Sequence, residues 1–202
     1  MNSELIIVGS GGFGREILAW LPGVLQKEQL LFKGFLDDDL ALSDFGKVRD
    51  FKPQPQQVFV CAIGSCAGRE EVVTHLLAQG ARFVNLVHQT AVVASRLKED
   101  SGLIIAPFVF ISTNVQVGTG VIFNVASSVG HDAKIGNFTT LSGHCDVTGN
   151  VVLGSRVFMG SHACIIPGRV VGDNALIGAG SAVMRNVPAG VTVIGVPAKK
   201  LM

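Results

Sequence analysis

The sequence predicts an α/β unit over residues 1–86 followed by a parallel β-helix over residues 87–202. Two observations carry this division. In the first part, short apolar runs suited to strands alternate with segments whose apolar residues recur at helical spacing. In the second, a six-residue period takes over. Every sixth position from Ile105 reads Ile105, Ile111, Val117, Phe123, Val129, Ile135, Leu141, Val147, Leu153, Met159, Ile165, Val171, Ile177 and Val183, apolar throughout. Neither a 3.6-residue helix nor a two-residue strand alternation generates that spacing.

The elements of the first unit follow in order. "LIIV" (5–8), "FKGFL" (32–36), "VFVCAI" (58–63) and "RFVNLV" (82–87) read as strands. "REILAWL" puts Ile17, Leu18 and Leu21 on one helical face. "REEVVTHLLAQG" does the same with Val72, Val73, Leu76 and Leu77, and Gly80 is placed as its C-cap. "DFKPQPQQ" reads as a proline-bearing loop. Such alternation predicts a small parallel sheet flanked by helices. "GSGGFG" satisfies G-x-G-x-x-G through Gly9, Gly11 and Gly14, and Asp37 to Asp39 follow the second strand near the offset at which a dinucleotide fold meets a ribose. The unit therefore reads as Rossmann-like. Taken alone the motif suggests NAD, but the unit is short for both halves of a dinucleotide fold, and no hydride-transfer site accompanies it. A phosphate on another nucleotide, or a purely architectural use of the glycines, satisfies the motif equally.

In the second unit, the residue four places after each inward position is mostly small or β-branched, as at Val109, Ala133, Thr139 and Ala163, with Arg169 the exception. Three hexads complete a triangular coil, so residues 18 apart should stack at about 4.8 Å. Glycine follows the inward residue in "VGTG", "VGHD", "IGNF", "LGSR", "MGSH", "VGDN" and "IGAG", and is read here as supplying backbone freedom for a tight corner. The period reaches back to Val93 and Val87 but fails at Glu99.

Composition narrows the partners. Charged residues make up 15% of the 202, with a formal net charge of +1, so nothing electrostatic calls for nucleic acid or an anionic membrane. No uncharged apolar run approaches the roughly 18 residues of a transmembrane helix, and "MNSELIIVGSGGFGRE" lacks the basic segment of a signal peptide. Cys61, Cys66, Cys145 and Cys164 show no CxxC spacing, which fits reduced thiols and a cytoplasmic location.

One dipeptide departs from this small, apolar grammar. His131 and Asp132 hold the third and fourth places of the hexad "VGHDAK", at a corner and away from the inward column. A structural histidine fits such a place less naturally than a base does. A neutral imidazole takes a proton from an attacking amine or hydroxyl, and a carboxylate on its other nitrogen orients it. Side chains adjacent on a straight strand diverge, whereas at a corner they can approach each other.

"FNVASSVGHDAKIGNF", "GSHACIIPG", "LIGAGSAVMRNVPAGVTVIGVPAKKL" and "IIVGSGGFGREI", with "FLDD", "AIG" and "VNLVH", make the chain resemble the hexapeptide-repeat nucleotide-sugar acetyltransferases of bacterial surface-glycan synthesis. These include the UDP-4-amino-sugar N-acetyltransferase of the bacillosamine pathway, GDP-perosamine N-acetyltransferases and sialic acid O-acetyltransferases. The resemblance implies a left-handed β-helix, a homotrimer with sites between subunits, and acetyl-CoA as co-substrate without a metal. Under it His131 matches the catalytic base, Asp132 the acidic residue beside it (Asp here rather than Glu), and Asn124 an asparagine near the acceptor amine. Thr140 stands where the bacillosamine enzyme has a second histidine on acetyl-CoA. Gly149, Ser161 and Ala179 match further acetyl-CoA contacts, and Lys199 or Lys200 is placed near CoA phosphates. Gly11, Gly12, Phe13, Asp37, Asp38 and Gly64 are assigned to the sugar nucleotide. His144 and His162, which are 18 apart, should stack on adjoining coils.

The function implied is acetyl transfer from acetyl-CoA to the amino group of a nucleotide-linked amino sugar. O-acetylation of a sugar hydroxyl, as on sialic acid, is the alternative within the same chemistry. A metal-dependent hydratase on the same scaffold would need three histidines converging on zinc, for which His131, His144 and His162 are the candidates. A non-catalytic sugar-nucleotide sensor would bind the nucleotide without releasing CoA.

Overall fold

A computed structural model describes residues 3–201. Four parallel strands in the order β2–β1–β3–β4 open the chain: β1 Ser3–Val8, β2 Leu30–Leu36, β3 Gln57–Cys61 and β4 Arg82–Phe83. Helix α1 (Gly12–Glu28) and helix α2 (Cys66–Ala78) cover opposite faces. Strand alternation sorts the core accordingly. Leu5 and Ile7 pack with Ile17, Leu21 and Val24 of α1, while Ile6 and Val8 pack with Val73 and Leu76 of α2. Helix α2 begins earlier than its apolar pattern announces, because the Ser65 hydroxyl accepts the Gly68 N–H at 3.2 Å. It ends in a Schellman arrangement: Gly80 N–H donates to Leu77 O and Ala81 N–H to Leu76 O, with Gly80 at φ +89°. Leu77 is exposed, so it lies off the buried face to which its spacing assigns it.

The run "RFVNLV" is not one strand. Arg82–Phe83 pairs with β3, whereas β5 (Leu86–Val87) pairs in parallel with Ile104–Ile105 of the next unit. Asn85 turns the chain between them; its side-chain oxygen accepts the N–H groups of Ser101 and Leu103. The junction therefore falls inside the expected strand.

From β5 onward, short strands stack into a left-handed β-helix with three faces. The first carries Leu86–Val87, Ile104–Ile105, Ile122–Phe123, Thr140–Leu141, Phe158–Met159 and Leu176–Ile177. The second includes Phe110–Ile111, Ser128–Val129, Asp146–Val147 and Cys164–Ile165, and the third includes Gln116–Val117, Lys134–Ile135, Val152–Leu153 and Val170–Val171. Register is 18 residues per coil, as in Val129 opposite Val147. From Ile105 onward the inward column is buried except at Val117, which is partly exposed, as are Val87 and Val93 where the period begins. Where the period fails at Glu99, Leu97 packs against the core instead.

The corner glycines act differently from the expectation. Positive φ falls two residues after them, at Asp132, Phe138, Arg156, His162 and Asn174 (φ 55° to 61°) and at Gly120 and Gly180, and it falls at the same place in hexads without that glycine, at Asn114, Ala126, His144 and Asn150. The glycines themselves are required by close approach between coils. A Cβ on Gly130 would lie 2.5 Å from Gly149 N, and one on Gly160 would lie 2.6 Å from Ala179 N.

The two units share a core. Leu86, Ile104 and Ile122 project outward from the first face into the α1 cluster, and Phe138 joins the α2 cluster. No helix among the described residues is long and apolar enough to cross a membrane. All four cysteines are free; burial pushes the Cys61 and Cys145 thiols up to about 11.

Candidate active site

The corner between the second and third faces bears His131 and Asp132. Asp132 takes the left-handed conformation (φ +60°), which its short polar side chain tolerates. The bend brings the neighbouring side chains together: His131 Nδ1 donates to Asp132 Oδ2 at 2.7 Å. An ionised carboxylate only accepts, so Nδ1 carries a proton, and in the neutral ring Nε2 is the nitrogen with the lone pair. The His131 side chain is 60% exposed. Its hydrogen bond first, and a second from Asn114 Nδ2 at 3.3 Å, hold the Asp132 carboxyl below the ordinary carboxylate range. Gly149 lies beneath the imidazole on the next coil, where a Cβ would stand 2.7 Å from Nε2.

A second feature lies where the outward column of the first face emerges from under the α/β unit. A cleft of about 240 Å³ is bounded by Phe13, Glu16 and Gly64 on one side and by Ile122, Asn124, Thr140, Ser142 and Phe158 on the other. It gathers Phe13, Gly64, Asn124 and Thr140 from the sequence-derived set. Asn124 opens the corner between the first and second faces, so the side of the triangle formed by Ser128–Val129 separates it from His131.

The glycine loop divides by use. A Cβ on Gly14 would strike the Gly9 carbonyl, and Gly9 itself needs φ +99°, so both serve the turn. Gly11, the N-cap of α1, and Gly12 are exposed, and a Cβ on either would meet nothing within 4 Å. Asp37 is held by its own surroundings. Burial alone would raise its carboxyl, but the N–H of Ser10, Asp39 and Asp38 and the Ser10 hydroxyl bring it below its usual value. Asp38 Oδ1 accepts the Val48 N–H.

Arg69 escaped the sequence reading, since an arginine opening a helix reads as solvated. It is 1% exposed, and among the described residues no carboxylate pairs with it. Its guanidinium donates to the carbonyls of Gly120 (2.9 Å), Ile63 (2.8 Å) and Phe138 (2.7 Å) and to Thr140 Oγ1 (2.8 Å), tying the cleft's two walls together. The Thr140 hydroxyl is thus already engaged. Glu70 reinforces the junction through Arg156 at 2.8 Å.

His144 and His162 stack as their spacing predicts, rings 4.7 Å apart and 2° from parallel. They occupy the corner between the first and second faces, as do Ser161 and Ala179, whereas His131 and Gly149 stand on the next corner. The three histidines therefore do not converge, and among the described residues no group of three or more His, Cys, Asp or Glu side chains is arranged to hold a metal. Lys199 lies in the antiparallel return of Lys199–Lys200 along Thr192–Ile194, beside Arg185, in a cleft of about 270 Å³. Arg185 had no motif to mark it.

The GDP-perosamine N-acetyltransferase of Escherichia coli O157:H7 is 34% identical over 213 aligned residues, spanning 96% of this chain and 95% of that protein. The chain belongs to the hexapeptide-repeat nucleotide-sugar acetyltransferases. No family model matches it. Among solved structures, PerB from Caulobacter crescentus in complex with CoA and GDP-perosamine is 29% identical with a TM-score of 0.88, covering 99% of this chain and 98% of that one. The acetyltransferase domain of PglB from Neisseria gonorrhoeae is 26% identical with a TM-score of 0.87, covering 99% of this chain and all of its own. Membership of this acetyltransferase family leaves the hydratase reading without support.

Proposed function

We propose that this acetyltransferase moves the acetyl group of acetyl-CoA to the amino group of a nucleotide-linked amino sugar. The observation that carries the reading is the His131–Asp132 hydrogen bond, which fixes the imidazole as an Nδ1–H tautomer with a free Nε2. The sugar amine attacks the thioester carbonyl, Nε2 takes the proton the nitrogen sheds, and the C–S bond breaks as the tetrahedral intermediate collapses. The imidazolium then returns the proton to the departing CoA sulfur. Asp132 orients the ring and stabilises the imidazolium without itself taking a proton. No residue is acylated, in keeping with buried, high-pKa thiols at Cys61 and Cys145.

The Rossmann-like unit over 1–86 holds the sugar nucleotide, its phosphates at the open N-terminus of α1 around Gly11, Gly12 and Phe13. Asp37 and Asp38, already engaged in the loop, act there by shaping it. The β-helix over 87–202 holds acetyl-CoA against Gly149, Ser161 and Ala179, and Lys199 with Arg185 offers cations to its phosphates. His131 and Asn124 stand on different corners, so a site using both is built from two subunits of a homotrimer. Exposed Val92, Phe108 and Phe110 supply apolar surface for that contact.

The test incubates the protein with acetyl-CoA and a panel of UDP-, GDP-, dTDP- and CMP-linked amino sugars, following CoA thiol release. His131→Ala is expected to lower turnover at least about 100-fold while sugar-nucleotide binding persists. Retained turnover would overturn the assignment of the base.

A further inference from the structure

The carboxylate that steadies His131 is itself steadied from the coil before it. Asn114 and Asp132 are 18 residues apart, on the same corner of successive coils, and both adopt the left-handed conformation, at φ +58° and +60°. This shared geometry presents the two short side chains side by side. Asn114 Nδ2 reaches Asp132 Oδ1 at 3.3 Å, while Asp132 Oδ2 receives the imidazole proton at 2.7 Å. The carboxylate thus has one oxygen for each neighbour, and the two bonds together fix its plane. A main-chain bond pins the same residue, Asp132 N–H donating to Thr113 O at 3.1 Å.

We propose that Asn114 is a positioning residue for the transfer reaction, holding the Asp132 carboxylate in the one orientation that accepts the His131 Nδ1–H. The inference rests on His131 being the general base, and it assigns a role to a residue one full coil away from the "HD" pair.

The surroundings isolate this effect. The coil before contributes Thr113 and Asn114 to the corner, and the coil after contributes Gly149 and Asn150, none of them titratable. The groups acting on the Asp132 carboxyl are His131 and Asn114. With Asp132 about half exposed, solvent would otherwise compete for Oδ1 and let the carboxylate rotate. The imidazole would then lose its fixed tautomer, and Nε2 its lone pair, for part of the time.

The left-handed backbone dictates which substitutions are informative. Alanine at φ +58° would add backbone strain, whereas glycine and aspartate both tolerate that region. Asn114→Gly removes the donor at little backbone cost. Asn114→Asp keeps the shape but replaces the donor with a second carboxylate against the first. We expect kcat to fall about 5- to 10-fold in Asn114→Gly and further in Asn114→Asp, with KM for both substrates within about twofold. The Asp132 carboxyl, followed by 13C NMR, should titrate at higher pH in both variants, since a stabilising donor is lost in one and a like charge gained in the other. A merely structural role would leave that titration where it is. His131→Ala, measured alongside, separates the two layers. If it retains turnover, the base assignment fails. If it loses turnover while both Asn114 variants keep wild-type kcat and an unmoved Asp132 titration, the role of Asn114 alone is overturned.

Discussion

A single absent methyl group sets how far the His131 imidazole can lie back on its coil. An alanine at Gly149 would put a Cβ 2.7 Å from Nε2 and 2.8 Å from Cε1. The obstructed atoms belong to the end of an exposed side chain, so the ring can swing aside without disturbing the stack. Gly149 lies outside the left-handed region, so alanine also brings no backbone strain there. Gly149→Ala is therefore expected to melt close to wild type while turnover falls on the order of 100-fold, since about 1 Å of misplacement has that effect in a positioned reaction. Thermal melting and steady-state kinetics on one preparation check both halves; unchanged kinetics would show that the ring's seat is unimportant. The His131–Asp132 pair was legible because counting sixes from Val129 releases both residues from the core. Asn114 was hidden although it is 18 residues away, because its contact depends on both residues being left-handed. The six-residue pattern in apolar residues does not announce that conformation.

At the scale of elements, the inward column was readable and the corners were misread. A periodic apolar residue reports which way a side chain points, and that fixed the strands of the β-helix almost residue for residue. Glycine reports only that a side chain is missing. Here the reason is contact with the coil above, while Asn, Asp, His and even Phe108 and Arg156 take the positive φ. Helix α2 misled in another way: apolar spacing identified Val73 and Leu76, but its most consequential buried residue is charged. Arg69 has a polar identity and a core address, a combination that depends on which carbonyls the second unit brings to it. Burial lowers its pKa and the carbonyls meet its donors. Arg69→Met is expected to destabilise the fold by about 2–4 kcal/mol, because the carbonyls of Gly120 and Phe138 would be left buried without a donor. Denaturant titration reads this directly. A variant as stable as wild type would mean that water replaces the guanidinium in the junction.

For the whole molecule, the shared core and the divided site point to different levels of assembly. Leu86, Ile104 and Ile122 fasten the β-helix to the α1 side of the sheet within one chain, and the Arg69 and Glu70–Arg156 contacts close the α2 side. The cleft holding Asn124 is therefore fixed by intrachain packing. His131 faces away on another corner, and no motion that preserves the stacked coils brings the two together. In the proposed homotrimer a neighbouring copy resolves this, its His131 corner meeting the cleft of the next subunit. The prediction is complementation. His131→Ala and Asn124→Ala, each impaired alone, are co-expressed with different tags, and mixed trimers are isolated. Each mixed trimer, whichever variant is in the majority, has one interface of its three that pairs an intact His131 with an intact Asn124 from the adjacent subunit, so about a third of wild-type turnover returns. If both residues served a site within one chain, mixing would restore nothing. Sedimentation of the same preparations separates that outcome from a failure to assemble, since trimers that form without regaining activity would contradict the shared site itself.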